Sequence, residues 1–173
     1  MNLFFEILKI TIPAVLVLLA AVYLVSGFLR NSEKMQQMKL MKESRQITIP
    51  LRLQAYERLI LFLERISPDS ILLRANYLDK TSRQLHQELL QSIRAEFEHN
   101  LSQQLYVSIE SWNSVKNARN YTIALMNNAA AELEEGTPAI ELSRKILATT
   151  VDMEQSPAQK AIDELKRDIQ QIF

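Results

Sequence analysis

Hydrophobic and polar positions are distributed along this chain in two different ways, with a change near residue 47. Residues 10–29 read ITIPAVLVLLAAVYLVSGFL, twenty positions without a charge between Lys9 and Arg30. At about 1.5 Å per residue, a helix of that length matches the roughly 30 Å hydrocarbon thickness of a bilayer. The pattern therefore predicts a transmembrane helix over 10–29, preceded by a short segment over 1–9. A cleaved leader fits less well, because the run exceeds the usual apolar core of a signal peptide and no A-x-A-like site follows.

Beyond residue 46 the apolar positions recur at intervals of three and four. In ITIPLRLQAYERLILFLERISP, five consecutive apolar residues, Leu59 to Leu63, lie between the charged pairs Glu57-Arg58 and Glu64-Arg65. Five residues cannot cross a bilayer. Leu53, Tyr56, Ile60, Leu63 and Ile66 mark a helical face, and Leu59, Leu61 and Phe62 widen it, so this helix requires partners on several sides. Pro50 suits its first turn, and Ser67-Pro68 ends it and opens a shorter segment.

Asp79, Thr81 or Ser82 caps the next helix, in which Leu85, Leu89, Ile93, Phe97 and Leu101 repeat every four residues. A further long helix runs from about Leu105 to Glu134, continuous with the preceding one or broken from it near Asn100. Gly136 fits a helix end, and Thr137-Pro138 fits a new start leading through Ile140, Leu142, Ile146 and Leu147. Ser156-Pro157 repeats the device ahead of a stripe of Ala158, Ile162, Leu165, Ile169 and Ile172. No useful stretch alternates with period two. The expected fold is all-α: a transmembrane helix, a stem over 30–46, and a compact antiparallel helical bundle over 47–173.

Charge orients the expected span. Arg30, Lys34, Lys39, Lys42 and Arg45 follow it, against Glu33 and Glu43, whereas only Lys9 precedes it. Positive flanks resist translocation, so the chain is expected to cross the cytoplasmic (inner) membrane once, with its amino terminus outside and its helical domain in the cytoplasm. The same five basic residues are candidates for contact with the lipid surface. Residues 47–173 hold 14 Lys plus Arg against 17 Asp plus Glu, which removes the electrostatic support for a nucleic-acid partner. With two glycines in the whole chain no phosphate-cradling loop can form, so no nucleotide is expected, and no cofactor. Cysteine is absent, excluding thiolate metal sites and a cysteine nucleophile.

The sharpest candidate for chemistry is Glu96 with His99, because Glu-x-x-His places a carboxylate and an imidazole on one helix face, as in di-iron bundles. Such centres need a second copy of the motif and two further carboxylates. His86, the other histidine, has Arg83 three positions before it, so the pair reads more simply as ordinary polar residues. Serines occur without a nucleophile elbow or a histidine partner, and no catalytic residue is assigned. Glu132, Glu134 and Glu135 crowd a helix end where acids are unfavourable and could form a patch for a basic partner. Asn100, Ser102, Gln103 and Gln104, with Tyr106 and Trp112, form either a helix crossing held by amides or a recognition surface.

One apolar helix followed by a charged helical region superficially resembles the peripheral-stalk b subunit of rotary ATP synthases, but Pro50, Pro68, Pro138 and Pro157 divide this chain into compact pieces. More closely, the blocks LRLQAYERLILFLERISP and IRAEFEHNLSQQLYVS resemble an uncharacterised family of short bacterial single-pass membrane proteins. That resemblance implies the same plan of anchor and helices, and it supplies no activity or site residue. The expected function is a membrane-anchored, non-enzymatic helical interaction or scaffold module that binds a protein partner or itself. The alternatives are an oligomeric structural stem and a metal-binding helical protein centred on Glu96 and His99.

Overall fold

The computed structural model describes the backbone of residues 2–151, 153 and 155–171, and the side chains of these except at 2–14, 20, 21, 29, 30 and 33. Helix α1 spans Asn2–Ile66, α2 Pro68–Arg74, α3 Ser82–Asn100, α4 Ile109–Ala131, α5 Ala139–Val151 and α6 Pro157–Gln170, with a 3-10 turn at Leu101–Leu105 between α3 and α4. No strand forms among the described residues, apart from an isolated bridge between Thr81 and Pro138. The all-α reading holds. The chain divides into two compact units, Met1–Thr48 and Ile49–Phe173.

The first unit is helical throughout its described length. Its described apolar side chains, among them Val17, Tyr23, Leu24 and Phe28, are all more than half exposed. The expected transmembrane helix, and with it the single-pass inner-membrane location, has to be corrected. Among the described residues no helix is long and apolar enough to cross a membrane. Positions 10–14, 20, 21 and 29 of the expected span lie outside the residues with described side chains, as does the expected segment over 1–9.

A second correction concerns Pro50, which does not open a helix, because α1 continues through it. Proline in a helix interior removes one backbone donor and crowds the preceding turn. Pro50 is exposed, so water can reach the carbonyl left without that donor.

In the second unit the end of α1 is packed as its periodicity predicts. Tyr56, Leu59, Phe62, Leu63 and Ile66 are at most 1% exposed, while Leu61 is 53% exposed. They face Leu85, Leu89 and Ile93 of α3, Trp112, Val115 and Met126 of α4, Leu142 and Ile146 of α5, and Ile162 and Leu165 of α6, in one core. Contacts between side chains set the directions. Phe62 meets Phe97 and Arg65 meets Glu96, whereas Arg52 reaches the carbonyl of Tyr106, so α1 and α3 run antiparallel. Phe97 stacks on Trp112 and His86 bonds Asn127, so α3 and α4 are antiparallel as well. The layer opposite is made of two pieces. Lys145 of α5 pairs with Glu132 just beyond the end of α4, and Asp168 of α6 bonds Ser111 in its first turn.

Local signals explain where these helices begin. The Ser67, Ser108 and Ser156 side chains cap α2, α4 and α6, with Pro68 and Pro157 in the first turns of α2 and α6. Thr81 and Gln84 form a reciprocal capping box at the start of α3. Gly136 takes a φ of 93° in the turn before α5, a conformation that suits glycine. The chain does break after Asn100. There the Asn100 side-chain amide donates to the carbonyl of Glu96 at 2.8 Å, and the helix tightens into the 3-10 turn.

Candidate functional site

Glu96 and His99 lie one turn apart on α3 and line the same cleft, a cavity of about 450 Å³ between α1, α2 and α3. Its floor is apolar, with Ile66, Ile71 and Leu89, and its rim carries Arg65, Arg74 and Glu88 as well. Arg65, Glu96 and His99 also line an adjoining hollow of about 130 Å³ with Arg58, Leu61 and Phe62.

The Glu96 carboxylate is engaged by the Arg65 guanidinium, 3.1 Å from Nε to Oε1. Glu88 pairs with Lys80. Arg74 donates to the carbonyls of Ser70 and Arg65, which fixes α2 against the end of α1. Among the described residues no group of three or more histidine, aspartate or glutamate side chains is gathered closely enough to hold a metal ion. His86 lies elsewhere on α3 and meets Asn127 Oδ1 at 2.9 Å.

The densest polar cluster of the second unit lies away from this cleft, around Asp168 of α6. Asp168 Oδ2 accepts from Tyr56 Oη at 2.8 Å, from Ser111 Oγ at 2.8 Å and from the Ser108 backbone amide at 3.1 Å. Arg52 completes the group, donating from Nε to the Tyr106 carbonyl at 3.0 Å and from Nη2 to Tyr56 Oη at 3.4 Å. Burial by itself raises the carboxyl pKa of Asp168, but the bonds from Ser108, Ser111 and Tyr56 outweigh it and hold the group below its ordinary value. Burial, and then the bond to Asp168, push the Tyr56 phenol up, against a lowering by Arg52.

Chemically this cluster is a clasp. A carboxylate from the last helix supplies the acceptor that the first turn of α4 requires, and it suits the positive end of that helix dipole. Tyr56 and Arg52 tie α1 into the same point. Among the described residues no buried side-chain nitrogen or oxygen lacks a partner.

The other polar positions singled out from the sequence are distributed as follows. Asn100 and Gln103 are buried, and Trp112 stacks on Phe97 at 5.6 Å, so these three belong to the helix crossing. Of the acids before Gly136, Glu132 pairs with Lys145 and Glu135 with Arg83, which accounts for two of the three by ion pairs within the chain. Lys34, Lys39, Lys42 and Arg45 are exposed on α1, and the side chain of Arg30 lies outside the described residues.

Comparison with known proteins adds one finding. The model of a family of unknown function, DUF7935, matches residues 2–172. The chain belongs to this family. That agrees with the expected membership of an uncharacterised family, at the level of having no assigned activity. No curated protein and no solved structure matches the chain. The clasp of this DUF7935 member had no signal in sequence, because its partners are separated by up to 112 residues. The Glu96–His99 spacing did signal a shared helix face, but not that Arg65 would occupy the carboxylate.

Proposed function

We propose that this DUF7935 chain is a non-enzymatic helical module that works by binding another protein. The observation that carries the reading is a division of labour among side chains. In the second unit several polar groups are committed to the fold: Asp168, Tyr56, Ser111 and Arg52 to the clasp, Glu96 to Arg65, Glu88 to Lys80. Large apolar side chains stand in solvent instead, with Leu73 at 85%, Leu105 at 79% and Ile109 at 75% exposure. Scattered apolar exposure is ordinary, but side chains this open at helix ends and turns are suited to anchoring a partner.

Photo-cross-linking in living cells tests this reading. A photoreactive residue at Leu73 or Leu105 is expected to form discrete protein adducts, and one at the solvated Lys166 is not. Equal adduct patterns from all three positions would remove the proposal.

Self-association is a second reading, favoured by the exposed apolar side chains of α1 between 15 and 28. A helix that is apolar all round is normally buried, and copies of itself would supply the cover. Light-scattering mass of the full chain decides it, with a monomer at micromolar concentration as the contrary result.

A further inference from the structure

We propose that Met153, in the connection between α5 and α6, is an oxidative modification site at which hydrogen peroxide makes one sulfoxide epimer in excess, loosening the join between these helices. The site requires no partner, so it stands apart from the interaction module. Tyr121 Oη donates to Met153 Sδ at 3.3 Å. Tyr121 belongs to α4 and is 37% exposed, and both side chains line a hollow of about 820 Å³ with Gln155, Pro157 and Lys160. Met153 is itself part-buried and packs against the core. Its sulfur therefore faces an accessible hollow while its side chain has an apolar contact to lose. The other methionines with described side chains lack that combination: Met126 is fully buried, and Met35, Met38 and Met41 stand more than half exposed on α1.

A thioether sulfur carries two lone pairs, and oxidation at one or the other gives opposite configurations of a chiral sulfoxide. The Tyr121 hydroxyl covers one of them, weakly, because thioether sulfur is a weak acceptor. Peroxide meets the other. That lone pair forms the S–O bond to one peroxide oxygen as the O–O bond breaks. The second oxygen takes the bond electrons and the first oxygen's proton and leaves as water, so sulfur loses two electrons and hydrogen peroxide gains them. The product is polar where an apolar side chain packed, and burying its oxygen without a partner is costly, which draws residue 153 toward water. The Met153 amide also donates to the Thr150 carbonyl at 3.3 Å, three residues ahead of the Ser156 cap of α6. Displacing Met153 thus acts on the join of the two helices. Enzymatic reduction of the sulfoxide restores the thioether, which makes the change reversible.

The test treats the full chain with hydrogen peroxide and reads the tryptic fragment 146–160, in which Met153 is the single methionine. Epimers are assigned with the two methionine sulfoxide reductases, each of which reduces one configuration. Met153 is expected to give one epimer in about threefold excess or more, a bias that a weak hydrogen bond can impose on two otherwise equal paths. Met35 and Met38, exposed on α1 and released together in fragment 35–39, should give nearly equal amounts in the same sample. Tyr121→Phe keeps the ring and removes the hydroxyl, and it should bring Met153 close to equality with an unchanged helical CD spectrum. Oxidation should lower the thermal midpoint of the native chain by about 2–5 °C. Met153→Leu, oxidised in the same way, should show no such loss. Equal epimers at Met153, the same excess in Tyr121→Phe, no oxidation of Met153 at a dose that converts Met35, or an equal midpoint loss in Met153→Leu overturns the proposal.

Discussion

Tyr56 Oη donates a 2.8 Å hydrogen bond to Asp168 Oδ2, joining α1 to the last helix across 112 residues of sequence. The same oxygen receives Ser111 Oγ and the Ser108 amide, so one atom fastens three helices. Asp168→Asn is expected to destabilise the fold by about 1–3 kcal/mol, the range for leaving polar groups without their charged acceptor. Urea unfolding at neutral pH measures it.

The pH dependence of this contribution has a definite sign. Asp168 has a folded pKa below that of the unfolded chain, so its stabilisation is present above the unfolded carboxylate value and is lost as pH falls through the folded one. Tyr56 is raised, so its neutral form is favoured, and stability falls as pH climbs above the unfolded phenol value near 10. Unfolding midpoints from acid to alkaline pH should drop at both ends in the native chain. Asp168→Asn should flatten part of the acid limb, and Tyr56→Phe part of the alkaline one.

Because the two side chains share a bond, their substitutions should not add. The double variant Tyr56→Phe with Asp168→Asn is expected to cost less than the sum of the singles, by about 0.5–2 kcal/mol. Strict additivity in the same urea titrations would show that the bond contributes nothing.

Neighbouring leucines in the LILFL run should respond very differently. Leu63 is fully buried, and Leu63→Ala should cost about 2–5 kcal/mol, whereas Leu61→Ala at 53% exposure should stay within about 0.5 kcal/mol. Thermal unfolding of the two variants side by side checks the contrast, and similar losses would contradict the packing of α1.

Two local devices make further targets. Thr81→Ala breaks the capping box of α3 and should cost about 1 kcal/mol. Gly136→Ala has open space around the added methyl, so its cost, roughly 1–2 kcal/mol, would come from the backbone at φ 93° alone.

These devices are also the parts of the fold that could be read from sequence, because each is written in two to four adjacent residues. Ser67-Pro68, Ser156-Pro157 and Gly136 stand where their local chemistry requires. Periodicity similarly marked Leu59, Leu63, Leu85, Leu89, Ile162 and Leu165 as core. Pro50 misled because a local cost was treated as a boundary, although a long helix can lose one backbone bond at an exposed position and continue. Helix α5 also runs past the last apolar position read for it, Leu147, to Val151. What could not be read is tertiary. Nothing near Asp168 announces that it will cap α4, and nothing near Glu96 announces Arg65. The candidate pair Glu96 and His99 was therefore found by spacing, while its surroundings were set by a helix some thirty residues away in the chain.

The bridge between Thr81 and Pro138 is more than a decoration of two turns. The Ser82 amide donates to the Thr137 carbonyl at 2.7 Å, and the Ala139 amide donates to the Lys80 carbonyl at 3.0 Å. Each is a first-turn donor that its own helix has no means to satisfy, and each is satisfied by the residue leading into the other. The entrances of α3 and α5 are thus interlocked like two halves of a hinge pin. An extra residue spliced into either lead-in would shift both helices at once, and natural variation in length would have to be absorbed in other connections.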